Sequence, residues 1–171
     1  MMKTILDFNF SNKTALIRVD FNVPLNANLQ VTDNTRILSA KPTILKVLKD
    51  GGSCVLMSHL GRPKGNQENL SLIHIVSEIE KTLDRKITFT PDCIGAETES
   101  LVNNIKPGDI ILLENLRFYS EETEGDVAFA EKLSKLGQIY VNDAFGAAHR
   151  NHSSTSVITK FFNNKKYLGL L

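Results

Sequence analysis

No run of this sequence approaches the roughly eighteen apolar residues that a membrane-spanning helix needs. The N-terminal MMKTILDFNF lacks the apolar core of a secretory signal. Neither a membrane anchor nor export is expected, and a cytoplasmic location is. Cysteine is scarce. Cys54 and Cys93 lie in or beside apolar runs, form no C-x-x-C pair and have no metal-ligand spacing. That argues against disulfides and a structural metal, and for two buried free thiols in a reducing compartment. An excess of charge is missing too. Twenty Lys and Arg face nineteen Asp and Glu, a formal net charge of +1, so no global field recruits nucleic acid or an anionic membrane. A phosphate loop of the G-x-x-x-x-G-K-[ST] type is absent. GRPKG at 61–65 has the wrong spacing, and no Ser or Thr follows its lysine. Repeats, low-complexity tracts and linkers are absent as well.

What is present is an ordinary globular composition, 42% hydrophobic and 23% charged over 171 residues, enough for one domain with a real core. Five near-continuous apolar runs bounded by turn residues read as buried strands: 14–21, 53–60, 87–92, 109–116 and 138–145. Helical patterns lie between them. TRILSAKPTILKVLKDGG carries Ile37, Ile44, Leu45 and Leu48 and closes on a glycine pair. Pro42 is expected to open its main helix at the first turn. SLIHIVSEIEKTLDR starts at Ser71, a good N-cap, and ETESLVNNI is a shorter candidate. DVAFAEKLSKLG starts on an acidic residue and spaces Phe129, Leu133 and Leu136 helically. Strand alternating with helix predicts an α/β fold, a Rossmann-like parallel sheet between two helical layers. FFNNKKYLGLL fits no element. It ends apolar and uncapped, so the chain is expected to be truncated or to continue.

In such a sheet, ligands bind beyond the carboxyl ends of the strands. The first run leads into Asp20 and Asn22, the second into His59, Gly61 and Arg62, the fourth into Glu114, Asn115 and Arg117. The fifth leads into Asn142, Asp143, His149, Arg150 and His152, and Arg36 follows the first strand. Taken singly, each has a plain structural reading: surface arginine, turn-capping aspartate, hydrogen-bonding histidine. The two histidines of HRNH, with no third ligand nearby, make no metal site. Jointly they put hydrogen-bonding and cationic groups at one edge. The planar guanidinium fork suits phosphate and carboxylate, so Arg36, Arg62, Arg117 and Arg150 are expected to converge on a small multiply charged anion.

The chain resembles the phosphoglycerate kinase family, specifically its N-terminal, substrate-binding half. The resemblance is carried by ALIRVDFNVP (15–24), VTDNTRI (31–37), KPTI (41–44), MSHLGRPKG (57–65), PDCIG (91–95), LLENLRFYSEE (112–122) and YVNDAFGAAHRNHSS (140–154), in family order. It implies phosphoryl transfer between 1,3-bisphosphoglycerate with MgADP and 3-phosphoglycerate with MgATP. It implies that Asp20 and Asn22 contact the glycerate hydroxyl and carboxylate end, and that Arg36 faces the carboxylate and the moving phosphoryl group. His59, Arg62, Arg117 and Arg150 would grip the 3-phosphate, with Leu60 and Gly61 supplying backbone. Phe21, His149 and His152 would support. Arg18 would add positive potential or pair with a core carboxylate, and Lys64 is left as a solvated charge. The resemblance further implies a monomer whose nucleotide and magnesium are held by a second domain. Residues 1–171 are then expected to be one truncated substrate-binding domain with no cofactor of its own, inactive alone. The alternative is a stand-alone binding module for small phosphorylated acids.

Overall fold

The computed structural model describes residues 3–170. Strands β1 (Thr14–Val19), β2 (Ser53–Met57), β3 (Thr88–Phe89), β4 (Ile110–Leu112), β5 (Ile139–Asp143) and β6 (Lys166–Leu168) alternate with helices α1 (Thr35–Lys49), α2 (Val76–Leu83), α3 (Ala96–Asn103), α4 (Ser120–Glu124) and α5 (Val127–Ser134). The strands form a single sheet in the order β3-β4-β2-β1-β5-β6, and every pairing is parallel. The expected α/β architecture is therefore present.

Alternation along the strands separates two apolar cores. Ala15, Ile17 and Val19 of β1 pack with Ile37, Ile44 and Val47 of α1 and Ile79 and Leu83 of α2. Leu16 faces the opposite way, with Val55, Met57 and Tyr140, against Val102 of α3 and Phe129 and Leu133 of α5. Both faces are covered by helices, which gives three layers and explains why the central strands read as continuous apolar runs.

Several elements follow directly from local chemistry. Asp126 accepts from the Phe129 amide at 2.7 Å and caps α5. Ser71 accepts from the Ile73 amide at 3.2 Å, but the turn it caps is 3-10 over Leu72–Ile75, and the α-helix starts only at Val76. At the end of α1 the Gly52 amide bonds the Val47 carbonyl and the Gly51 amide bonds the Leu48 carbonyl, both at 3.0 Å. That is the paired Schellman closure, and Gly51 supplies its left-handed residue with φ of +90°.

Three further expectations change, and one helix was not expected at all. Helix α1 does not open at Pro42. It begins at Thr35, whose amide is taken by the Asp33 carboxylate at 2.9 Å, and runs through the proline. Pro42 and Leu38, whose carbonyl loses its partner, both lie on the exposed side, where water can take that carbonyl. The third run, 87–92, is not a buried strand. Only Thr88 and Phe89 pair, at the sheet edge, and Thr88 is exposed. The unplaced C-terminal segment contributes β6, pairing with β5 at the other edge. The short helix α4 had no periodicity long enough to read.

Replacing Pro42 by Ala restores an amide to the helix interior. Allowing for the lost rigidity of the unfolded chain, Pro42→Ala is expected to raise the unfolding free energy by about 2 kcal/mol, measured as a higher urea midpoint at unchanged slope.

Candidate functional site

Because all strands run the same way, the loops after β1, β2, β4 and β5 meet at one edge, and buried polar side chains lock them together. The Ser58 hydroxyl accepts from the Phe21 amide at 2.9 Å and donates to the His59 carbonyl at 3.0 Å, joining the exits of β1 and β2. Asn115 joins the exits of β2 and β4 with every polar atom in use. Its Oδ1 accepts from the Leu60 amide at 3.2 Å and the Arg117 amide at 3.0 Å. Its Nδ2 donates to the carbonyls of Leu60 at 2.8 Å and Leu70 at 2.9 Å. Glu114 is likewise saturated, by the Ser71 hydroxyl and the amides of Leu72 and Asn115. These two residues, noted in the sequence only as edge groups, are scaffold.

A line of hydrogen bonds then runs along the edge. Arg36 holds Asp20 in an ion pair at 3.0 Å. Asp20 accepts from the Asn22 amide at 3.2 Å. Asn22 Oδ1 accepts from the Gly61 amide at 2.8 Å, and the Gly61 carbonyl accepts from Arg117 Nη1 at 3.2 Å. Gly61 has φ of +63°, and a Cβ there would meet Leu70 at 2.9 Å. A side chain at 61 would therefore strain the backbone and crowd Leu70.

Beyond this line lies a cleft of about 490 Å³ lined by Arg62, Lys64, Arg117, Arg150, His152 and Tyr119, with Ser120 and Thr123 on α4. No carboxylate lines it. Burial, then the charges of Arg18 and Arg150, lower the pKa of Arg117, whose Nε is buried with no partner among the described residues. Burial also lowers the pKa of His152, and its buried Nδ1 has no partner among the described residues either. Cations that repel one another, beside unpaired donors, are stabilised when an anion enters.

Behind the cleft sits a buried polar chain. Arg18, 1% exposed, donates from Nε to the Ser154 hydroxyl at 2.9 Å, from Nη1 to the Val19 carbonyl at 2.5 Å and from Nη2 to His59 Nδ1 at 3.0 Å. Ser154 donates its hydroxyl to Glu122 at 2.5 Å and its amide to the same carboxylate at 2.8 Å. Arg18 thus meets a core carboxylate through one hydroxyl, not directly. Burial, followed by Arg18 and Arg117, drives the His59 pKa down to about 2.

The structure gathers three of the four candidate arginines in the cleft and leaves Arg36 outside it, paired and half exposed. Phe21 and Leu60 are core residues. His149 is exposed and does not line the cleft. Lys64, read as a solvated charge, does line it, as do Tyr119, Ser120 and Thr123. For Lys64 the signal was available in its place two residues after Arg62 on one turn. Ser154 and Glu122 gave no local signal, because their partners are far away in sequence.

A three-layer parallel sheet with a cationic, carboxylate-free cleft at its carboxyl edge defines an open parallel α/β protein, a class that as a rule binds its ligands at the strand ends. The sequence model described as phosphoglycerate kinase matches residues 5–171, and the chain belongs to that family. Phosphoglycerate kinase of Moorella thermoacetica is 50% identical over 159 residues, covering 92% of this chain and 40% of the relative. That of Borrelia hermsii is 50% identical over 161 residues, covering 94% of this chain and 41% of the relative. The solved phosphoglycerate kinase of Pyrococcus horikoshii OT3 superposes with a TM-score of 0.89 at 29% identity, over 99% of this chain and 43% of that one. The chain thus spans about two fifths of the length of the relatives it matches.

The neutral, buried His59 sets a pH dependence. Its folded pKa of about 2 lies below the 6.5 of a free imidazole, so below pH 6.5 the unfolded chain binds a proton that the folded one refuses. Stability contributed by this group is full above 6.5 and falls as pH drops, by about 1.4 kcal/mol per unit. Between pH 7 and pH 5 the wild type should lose about 2 kcal/mol more than His59→Asn, read from urea unfolding at each pH.

Proposed function

We propose that this chain forms the 3-phosphoglycerate-binding part of a phosphoglycerate kinase, which moves a phosphoryl group between 1,3-bisphosphoglycerate and MgADP, giving 3-phosphoglycerate and MgATP. The observation that carries the reading is the cleft lined by Arg62, Lys64, Arg117, Arg150 and His152 with no acidic side chain, in a chain of this family. The 3-phosphate lies there, gripped by the arginines, with His59 behind them. Leu60 and Gly61 hold the loop that carries Arg62. Asp20 and Asn22 take the glycerate hydroxyl and carboxylate end.

Arg36 faces the carboxylate and the transferring phosphoryl group. An exposed ion pair such as the one it makes with Asp20 is worth about 0–1 kcal/mol, so Arg36 is readily redirected to substrate. Phosphoryl transfer needs positioning and charge stabilisation more than covalent help. As the bond from phosphorus to the acyl oxygen breaks and a nucleotide oxygen attacks, the departing carboxylate gains charge next to Arg36, which stabilises it.

The described residues include no group of three or more His, Cys, Asp or Glu able to hold a metal ion. From the family resemblance alone we assign magnesium and nucleotide to a second domain and no step to them here. A monomer working in the cytoplasm is what the family resemblance implies; no helix among the described residues is long and apolar enough to cross a membrane.

Titrated with 3-phosphoglycerate and followed by NMR, the 171-residue chain is expected to bind. Arg62→Ala should weaken binding by about 10- to 100-fold, the loss of one or two charge-assisted hydrogen bonds; unchanged affinity would remove the phosphate from this cleft. Mixed with MgATP and 3-phosphoglycerate, the chain alone should release no ADP above background. Appreciable turnover would show that it needs no second domain.

A further inference from the structure

The chain Glu122, Ser154, Arg18, His59 lies behind the cleft; of its members only His59 enters the contacts proposed above, yet every bond in it has a direction. Arginine carries donors only. Because Arg18 Nη2 sits 3.0 Å from His59 Nδ1, that nitrogen must accept, and the imidazole proton belongs on Nε2. Arg18 cannot swing away. Its other two bonds go to the Val19 carbonyl on its own strand and to Ser154 Oγ at 2.9 Å. Ser154 in turn has its hydroxyl hydrogen committed to Glu122 Oε2 at 2.5 Å, so it meets Arg18 with a lone pair. Glu122 is fully buried and holds Ser154 twice, through hydroxyl and amide. Its negative charge compensates Arg18, which would otherwise be an unbalanced cation in the core. The four residues come from β1, the exit of β2, α4 and the loop after β5.

We propose that Glu122 and Ser154 are positioning residues: through Arg18 they hold His59 in the neutral form protonated at Nε2. The charged or titratable groups facing His59 are Arg18, Arg117, His152 and Arg150, all of them cationic or able to become so. A protonated imidazole there would add to the repulsion within an already cationic site. A neutral one with a fixed tautomer offers an N–H without adding charge. Resting on the 3-phosphoglycerate reading, this makes His59 a donor whose protonation does not change across the neutral range. The tetrad thereby separates two jobs: the arginines supply charge, and the histidine supplies direction.

The test is the imidazole of His59 itself, read by long-range 1H–15N correlation in the 15N-labelled chain from pH 5 to 8. The wild type should show Nε2–H alone and no titration. Ser154→Ala and Glu122→Gln, still folded by their backbone spectra, should show a measurable Nδ1–H population or a titration within that range, and Ser154→Thr, which keeps the hydroxyl, should restore the wild-type pattern. Should Ser154→Ala not fold, Glu122→Gln, which keeps the volume and one acceptor, carries the comparison. A wild-type His59 protonated on Nδ1 or titrating near 6.5 overturns the proposal, and so do folded variants with an unchanged tautomer. Because the tautomer is read in the free protein, adding 3-phosphoglycerate is a separate step. A His59 Nε2–H that stays put on saturation would sink the substrate contact while leaving the tetrad in place.

Discussion

A strand covered on both faces can let polar chain reach water only at its ends. That constraint organises this molecule. β1 lies between β2 and β5 with helices above and below, and parallel pairing sends the carboxyl ends of all its neighbours to the same side. Side chains that follow the strands therefore have to crowd one edge, whatever their individual preferences. The loops they belong to cannot be hydrogen-bonded by a ladder. Ser58 and Asn115 substitute for it by bonding both amides and carbonyls of neighbouring loops, and Glu114 by accepting from two amides and the Ser71 hydroxyl. The edge is thus rigid before any ligand arrives, which spares binding the cost of ordering those loops.

Arg18 is the exception inside the strand. It occupies the register position opposite Met57 and Asn142. A buried guanidinium is costly unless its charge is met and its donors are used. Both conditions are fulfilled, by Glu122 through Ser154 and by three hydrogen bonds. The same arrangement places permanent positive charge behind a cleft that is already cationic. Burial combined with that charge leaves Arg117 with a lowered pKa and His59 neutral. The electrostatics of the edge are therefore set from the interior as much as from the arginines that solvent can see.

How much of this was legible in the sequence depended on range. Capping by Asp126 and the glycine closure of α1 are local, and both were readable from a few neighbouring residues. The start of α1 was not, because Pro42 suits a first turn equally well. Only the exposure of Leu38 shows why it is tolerated in the interior. Thr88 and Phe89 looked like part of a buried strand because apolar content does not reveal that a strand sits at an edge. Segment 166–168 carries little strand pattern, and its pairing is conferred by β5. Of the edge residues, Arg62, Arg117 and Arg150 were recognisable as a set, and Lys64, exposed as a solvated charge should be, borders the cleft with them.

The sequence by itself determined the fold class, the identity of the central strands and the edge at which their polar residues emerge, since apolar runs, caps and parallel connections are properties of neighbouring residues. Only the tertiary structure decided that Arg36 stands apart in a pair with Asp20, that Lys64 joins the cleft, and that Glu122 and Ser154 reach Arg18 and His59. Those contacts join residues up to 136 positions apart. Their energies depend on burial and direction, which exist only once the chain has closed around them.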